Sequence, residues 1–516
     1  MNEAKTSLIK KEEGFNLSPS MFWVAALLLT TANFIAVLNM TIANVSVPHI
    51  AGNLGATASQ GTWVITAYAI GEAITVPLTG WFAARFGAIK VFVVCMIFFG
   101  IFSIVCGLSN SLGLLVVARV FQGFAGGPLM PLSQTLLLRL FPKEKAGVAI
   151  GMWSMTTLVA PVLGPIVGGY VCDEYSWPWV FFINSPIVII CGFLAWQILK
   201  DFAEPLVKKP IDVIGLTLLV VWIVCLQLVL DEGKDLDWFA STKVIILAIV
   251  SFVCFVSFVI WEFYEEHPIV DLKIFRHRGF TISVITVSLA FGAYFGANVL
   301  TPLWLQTLMG YTGTQAGLAA CWTGIAGLMV APFIAKAATT VDARKLVFAG
   351  VLWLGCMTFW RGIATTDMAF IDVMLPLLFM GFGLPLFFIP SMGMSLSSVE
   401  KNEMDSAAGL LNFVRTLSGA FATSFVSTTW SNKTIENHAN LVAITDSDNS
   451  MRISMENSGI STEMINQTIN GIINQQSVML ATNQVMIILS VVFILAAFII
   501  LAAPKPIKVI KSTGGH

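Results

Sequence analysis

Charged residues are scarce in this 516-residue chain. Asp, Glu, Lys and Arg make up 11% of it, against about 25% in a soluble protein, so most of its surface cannot face water. Histidine (5) and cysteine (8) are also few, and neither clusters at metal-ligand spacing. Cys95, Cys106, Cys191 and Cys254 fall inside apolar runs and read as small buried hydrophobes rather than disulfide or zinc ligands. No metal site and no cofactor is expected. There is no nucleotide-binding loop and no Ser/His/Asp arrangement, which leaves an embedded enzyme without support. No long polar domain is available as the output of a sensor, and no basic patch suits nucleic acid. The net charge of −1 is uninformative, because the two signs are segregated along the chain.

What fills the sequence is apolar: 57% hydrophobic residues, with 41 Gly and 38 Phe. That composition suits helices packed closely in lipid, an all-α polytopic membrane protein. A spanning helix needs about 20 mainly apolar residues. That window places spans near 22–44, 62–83, 91–109, 112–136, 147–170, 179–199, 213–230 and 243–264. Six more follow near 280–305, 315–338, 346–365, 369–394, 406–429 and 484–503. The fourth contains Arg119 and the thirteenth Arg415. The first twenty residues are polar, with Lys5, Lys10 and Lys11, and the apolar stretch after them is too long for a signal h-region. The N-terminus is therefore expected inside, with the first span as the insertion signal.

Charge sidedness tests the count independently, since inside segments gather Lys and Arg. With fourteen spans, about 21 of the 28 basic residues fall inside, about five outside, and Arg119 and Arg415 within the membrane. Dropping one span inverts the bias downstream of it. Both termini are then cytoplasmic in a multi-pass protein.

The chain also repeats itself. Thr57-Ala-Ser-Gln60 opens the second span and Thr312-Gly-Thr-Gln315 the tenth. Pro77 and Pro332 follow at the same spacing, then Lys90 and Lys345, so that an offset of 255 aligns all three pairs. Duplicated halves with two inserted spans follow. The expected division is a cytoplasmic N-terminus (1–21), a six-helix bundle (22–199) and a linker with two extra helices (200–279). A second six-helix bundle (280–503) and a cytoplasmic tail (504–516) complete it. Paired bundles around a midplane site are a transporter architecture. The second bundle includes an extracytoplasmic segment, 431–483, rich in Asn, Ser, Thr and Gln. It reads either as a helical cap or as a docking surface for a periplasmic partner.

Several stretches resemble the major facilitator superfamily, specifically its fourteen-span drug:proton antiporters. The carriers are Leu38-Asn-Met-Thr-Ile-Ala-Asn-Val-Ser-Val-Pro48, Ser59-Gln-Gly-Thr-Trp-Val-Ile-Thr, Trp177-Pro-Trp-Val-Phe-Phe-Ile-Asn-Ser-Pro186 and Asp231-Glu-Gly-Lys-Asp-Leu-Asp-Trp238. Gly80-Trp-Phe-Ala-Ala-Arg85-Phe-Gly87-Ala-Ile-Lys90 resembles the family's conformational latch between spans two and three, or serves as ordinary inside charge. The family's aspartate before the arginine is Ala84 here. Pro161, Gly164, Pro165, Gly168 and Gly169 in span five resemble the antiporter signature, where proline bends the helix and glycines admit a neighbouring backbone. A merely close-packed helix pair is the other reading. Arg119-Val-Phe-Gln122-Gly123 resembles the fourth-span motif, whose guanidinium either helps exchange a proton for substrate or serves packing. Arg415, beside Asn412, is placed similarly in span thirteen.

The resemblance implies a secondary active exporter of small lipophilic or amphipathic compounds, drugs and toxins, driven by protons and conferring antibiotic resistance. It further implies the inner membrane of a Gram-negative cell, a periplasmic adaptor of the membrane-fusion type and an outer-membrane channel. A central, mainly apolar and aromatic cavity is expected, with Asn39, Glu72 and Asn412 as candidate lining. The family commonly has an aspartate where this chain has Asn39, which carries no proton. Glu72 lies about midway along span two, where a carboxyl resists ionisation. It is the candidate for the coupling role, with a neutral structural glutamate as the alternative. A narrow-specificity exporter and an uncoupled facilitator stay open, as do a membrane sensor and a membrane-embedded enzyme. Asp231, Glu262, Asp367 and Asp372 are expected near helix ends in reach of water.

Overall fold

A computed structural model describes residues 18–56, 58–142, 145–202, 210–233, 236–400, 403–447 and 461–504, together with 206, 455, 457 and 458. Among them all longer regular structure is helical. Helices stand at every expected span: α1 (Pro19–Asn53), α2 (Ala58–Phe86), α3 (Ala88–Gly107), the pair α4 (Leu112–Gly126) and α5 (Leu129–Leu140), and α6 (Ala146–Glu174). The short α7 (Trp179–Phe182) and α8 (Asn184–Leu199) make the sixth; α9 (Val213–Glu232) and α10 (Thr242–Tyr264) are the inserted pair. Then come α11 (Arg278–Thr307), α12 (Gly313–Thr340), α13 (Ala343–Arg361), α14 (Phe370–Ser397), α15 (Met404–Ser447) and α16 (Thr462–Ile500). Eleven of these units are long and apolar enough to cross a membrane, or 12 when the bent α6 is counted whole. The two that fall short, α2 and α15, carry Glu72 and Arg415 and pack against each other.

Local sequence explains where helices begin. Ser18 caps α1 with Pro19 at its first position, and Thr312 and Gln315 form a reciprocal capping box on α12. The repeat has a structural counterpart: Pro77 and Pro332 lie inside α2 and α12, and Lys90 and Lys345 each occupy the third position of the helix that follows. Thr57, the counterpart of Thr312, lies outside the described residues. Gly87 joins α2 to α3 at φ +92°, a conformation that a side chain strains.

The same pairings recur in both halves. First packs on fifth (α1 on α6, α11 on α15), second on fourth (α2 on α4, α12 on α14), and third on sixth (α3 on α8, α13 on α16). Across the halves, second again meets fifth, α2 on α15 and α12 on α6. One face of the molecule gathers the basic connections. There Arg139 pairs with Asp405, Arg276 with Glu403 at 2.7 Å, and Arg344 donates to the Ala503 carbonyl at 3.0 Å. We call this the basic face.

Glycine sets how close the helices come. A Cβ on Gly71 would lie 3.0 Å from the Phe124 amide nitrogen, and one on Gly123 would strike the Tyr68 carbonyl, so α2 and α4 touch backbone to backbone. A Cβ on Gly80 would lie 2.8 Å from Ser406 Cα, which makes the α2–α15 contact equally close at the basic face. The inserted α9 bridges the two bundles. Asp231 accepts from Thr66 on α2, and the Leu230 carbonyl accepts from Ser424 on α15 at 2.8 Å.

One expectation takes a definite form and one changes. Segment 431–483 is largely a continuation of membrane helices. With 44 and 39 residues, α15 and α16 run about 66 and about 58 Å, roughly twice the hydrocarbon thickness. They are tied at the base by Trp430 to Thr482 (2.9 Å) and Asn437 to Gln484 (3.3 Å). Much of 448–460 lies outside the described residues, as do the N-terminal segment, the C-terminal tail and Lys143, Lys208, Lys209 and Lys401. Glu262 is also not in reach of water: it is fully buried, because α9 at Gly215 and the 269–270 backbone close over it. Asp367 and Asp372 are exposed as expected.

Gly123→Val should destabilise the purified protein by at least about 2 kcal/mol through forced separation of α2 and α4. Gly113→Ala, at a position with nothing within 4 Å, should leave thermal unfolding in detergent nearly unchanged.

Candidate functional site

Polar side chains with 0–2% exposure converge from six helices, α1 to α5 and α15. Arg119, on α4, donates through Nε to the Val64 carbonyl at 2.9 Å and through a terminal nitrogen to Gln122 Oε1 at 2.8 Å. Gln122 Nε2 in turn donates to Ser103 Oγ at 2.6 Å. The guanidinium lies 4.4 Å from the centre of the Tyr68 ring and 5.6 Å from that of Phe181. A buried cation is tolerated here because carbonyl, amide and two aromatic faces surround it.

Arg415, on α15, sits 5.3 Å from the ring centres of both Trp153 on α6 and Phe291 on α11. One terminal nitrogen reaches Met130 Sδ at 3.0 Å, while Nε and the other terminal nitrogen have no hydrogen-bond partner. Trp153 is itself fixed, donating to Ser133 Oγ at 3.1 Å. One turn before Arg415, Asn412 donates to Gln134 Oε1 of the first bundle at 3.1 Å and to the Ala408 carbonyl at 2.8 Å.

Glu72 lies between these two cations. It is fully buried on α2 with neither carboxyl oxygen hydrogen-bonded, and the charges acting on it are those of Arg415 and Arg119. Its neighbourhood along α2 has no cation; the counter-charges come from α4 and α15, which its own sequence context could not show. Asn39, on α1, is also fully buried with its amide unpartnered, beside the Tyr68 hydroxyl. The structure thus brings Glu72, Asn39, Arg119 and Arg415 into one enclosed region, with Asn412 at its edge toward the basic face.

The remaining sequence candidates are dispersed. Gly164 and Gly168 let α1 against α6: a Cβ on Gly168 would lie 2.8 Å from the Ile42 carbonyl oxygen, and one on Gly164 3.1 Å from the Ile42 nitrogen. Gly169 is buried and Pro161 half-buried; the Pro165 side chain lies outside the described residues. Helix α6 bends by 42° across this motif, between Pro161 and Ile166. Gly80, Arg85, Gly87 and Lys90 stand at the basic face, with Arg85 5.6 Å from the Trp81 ring centre. Where the central cavity is expected, Arg415 lies against the Trp153 and Phe291 rings. Clefts of about 770 and 410 Å³ lie at α2/α3/α4 and between α6 and α12.

Sequence reasoning passed over Tyr68, Gln134 and Arg361, and gave Trp153 only as part of the family-like stretch Trp153-Ser-Met-Thr. Gln134 was a polar residue in an apolar run, a usable signal. Arg361, at the end of α13, is largely buried, bonded to Thr301 and 3.8 Å from Met380 Sδ.

The Major Facilitator Superfamily model matches residues 29–423. The chain belongs to the major facilitator superfamily. That makes it a multi-pass membrane transporter rather than an enzyme. Among its relatives, the multidrug export protein EmrB of Haemophilus influenzae is 44% identical over 416 residues, 80% of this chain and 82% of that protein. The fatty acid resistance protein FarB of Neisseria gonorrhoeae is 41% identical over 503 residues, 96% of this chain and 98% of that protein. The structure of the proton:xylose symporter XylE bound to 6-bromo-6-deoxy-D-glucose superposes with a TM-score of 0.59 at 15% identity, covering 95% of this chain and 97% of that one. That likeness bears on the fold alone: two six-helix bundles, here with α9 and α10 inserted between them.

Gln122→Ala leaves the Arg119 guanidinium without its side-chain acceptor and should cost about 1–3 kcal/mol. Gln122→Glu, which keeps an acceptor, should lose less; thermal unfolding of the purified variants decides.

Proposed function

We propose that this transporter exports small lipophilic or amphipathic compounds across the cytoplasmic membrane in exchange for protons, with Glu72 as the proton-carrying group. The observation that carries this reading is the unpartnered Glu72 carboxyl, enclosed with Arg119 of its own bundle and Arg415 of the other. Ionised, Glu72 attracts the unpaired nitrogens of Arg415 and draws α2 and α15 together. Protonated, it releases that attraction and leaves the Asn412–Gln134 bond and the Arg139–Asp405 pair at the basic face. Proton loading thereby biases which pair of helix ends is closed, the requirement for alternating access. Asn39, in the place of the family's acid, offers a neutral amide beside Tyr68 and contributes polarity rather than a proton.

Aromatic faces at Trp153, Phe291 and Tyr68 suit lipophilic substrates, which bind by area burial and stacking with little discrimination. The names of the relatives, multidrug export and fatty acid resistance, support the same class. We assign the basic face to the cytoplasm by charge sidedness, with fourteen spans, both termini inside, and the 22–199 and 280–503 halves as the moving bodies. The motif Gly80–Lys90 is read as a conformational latch and Pro161–Gly169 as the flexible bend of α6. On the other face, the paired extensions of α15 and α16 offer a surface for a periplasmic adaptor of the membrane-fusion type leading to an outer-membrane channel.

The test is efflux from proteoliposomes driven by an imposed pH gradient, with proton release on substrate addition measured in parallel. Glu72→Gln should lose gradient-driven efflux by at least about tenfold while still exchanging substrate for substrate. Asn39→Asp should alter the pH dependence of proton release. Unchanged gradient-driven efflux in Glu72→Gln would remove Glu72 from the coupling role, and gradient-independent transport in the wild type would make the chain an uncoupled facilitator.

A further inference from the structure

Arg361 ends α13, the helix that begins beside Arg344 at the basic face, and so lies toward the opposite face. Its side chain is buried between α11 and α14. One terminal nitrogen donates to Thr301 Oγ1 on α11, and the other faces Met380 Sδ on α14 at 3.8 Å. Thr301 is committed in turn, its hydroxyl donating to the Ala297 carbonyl at 2.5 Å. Among the described residues no carboxylate acts on this guanidinium; Tyr294, on α11, is the one titratable group that does. The acids that follow in sequence, Asp367 and Asp372, are both exposed, and Asp372 accepts from the Ala369 amide at 2.9 Å as part of the α14 cap.

Tyr294 shares the enclosure. It is 2% exposed, and its hydroxyl has no hydrogen-bond partner. Asn298, one turn on, spends its amide nitrogen on the Tyr294 carbonyl at 3.0 Å. A buried cation with no counter-charge is costly, and a thioether is a weak acceptor. A buried hydroxyl hydrogen with no acceptor adds to that cost. Arg119 makes the contrast, since a carbonyl and an amide oxygen take its hydrogens. At Arg361 a charged N–H and a phenolic O–H act on each other with no oxygen to receive either. One acceptor of unit negative charge satisfies both.

Size and charge narrow its class. Thr301, Tyr294 and Met380 are at most 3% exposed, so a lipophilic acid could enter only by parting α11 from α14. A carboxylate prefers to fork across both terminal nitrogens, and Thr301 already holds one of them. A dianion would replace an uncompensated positive charge by a negative one. A monatomic anion matches the single charge, accepts from any direction and needs little room.

We propose that Arg361 and Tyr294 bind chloride, held between the guanidinium nitrogen that faces Met380 and the Tyr294 hydroxyl, with Thr301 positioning the guanidinium. The ion neutralises the buried charge and joins α13 to α11 inside the second bundle. The proposal is independent of proton coupling and of what the chain exports.

The experiment is thermal unfolding of the full-length purified protein in detergent, with chloride replacing gluconate at constant ionic strength. An ion that binds only the folded state raises the unfolding temperature saturably, here by at least about 2 °C. Broadening of the chloride NMR signal in the same titration reports the bound ion directly. Tyr294→Phe removes a hydroxyl that makes no hydrogen bond and should raise the half-saturating concentration at least about tenfold. Arg361→Gln should abolish the chloride effect; should that variant not fold, Tyr294→Phe carries the test. Stability that does not distinguish chloride from gluconate in the wild type, or a chloride effect unchanged in either variant, would overturn the assignment. Acetate acting at lower concentration than chloride would give the site to carboxylates and overturn it equally.

Discussion

The structure depends on keeping a few charges in a medium that penalises them. A carboxyl and two guanidiniums within the membrane are costly unless each has a surround that replaces water. Arg119 donates to a carbonyl and an amide of its own bundle and keeps one terminal nitrogen without a partner. Arg415 keeps two nitrogens and Glu72 both oxygens without partners, and these two stand on opposite bundles. The difference in degree sets a charge held mainly by its scaffold against a pair held less. In the proposed cycle, Glu72 is where a proton changes what attracts what.

Close backbone approach makes that response mechanical. Without hydrophobic drive between helices in lipid, contact area comes from small residues. Gly71 and Gly123 lock α2 to α4, so Glu72 and Arg119 move as one body. Gly80 brings α2 equally near to α15, but across the boundary between bundles. Gly164 and Gly168 do the same for α1 and α6 beside a 42° bend. Smooth surfaces slide or rock where interlocked side chains would catch.

Much of this was legible in the sequence because its signals are one-dimensional. Window hydropathy places a helix at each expected span, and the 255-residue offset between Pro77 and Pro332 corresponds to helices with equivalent packing partners. The family motifs singled out Arg119, Gln122 and Asn39, and the cost of a midplane acid singled out Glu72. What stayed hidden depends on proximity across helices. The counter-charges of Glu72 come from residues 47 and 343 positions further along the chain. The stretch Trp153-Ser-Met-Thr resembles the family, but nothing in it shows that Trp153 is the platform under Arg415. Glu262 looked wet because it is near a helix end, and only the fold of 269–270 over it shows otherwise. That the helices of segment 431–483 continue those of the membrane was hidden because polar residues in an exposed helix lower hydropathy without breaking the helix.

The length of α15 and α16 has a further consequence. Each is a continuous rod that begins inside the moving bundle and ends well beyond the membrane, and the two are tied together where they emerge. A rod fixed at one end in a rocking body amplifies angle into displacement: a tilt too small to disturb packing at Arg415 carries the far end through a distance proportional to the overhang. In the proposed cycle of rocking bundles, the two overhanging rods would act as a pointer geared to transport, and a body held against them would feel each turnover as a push.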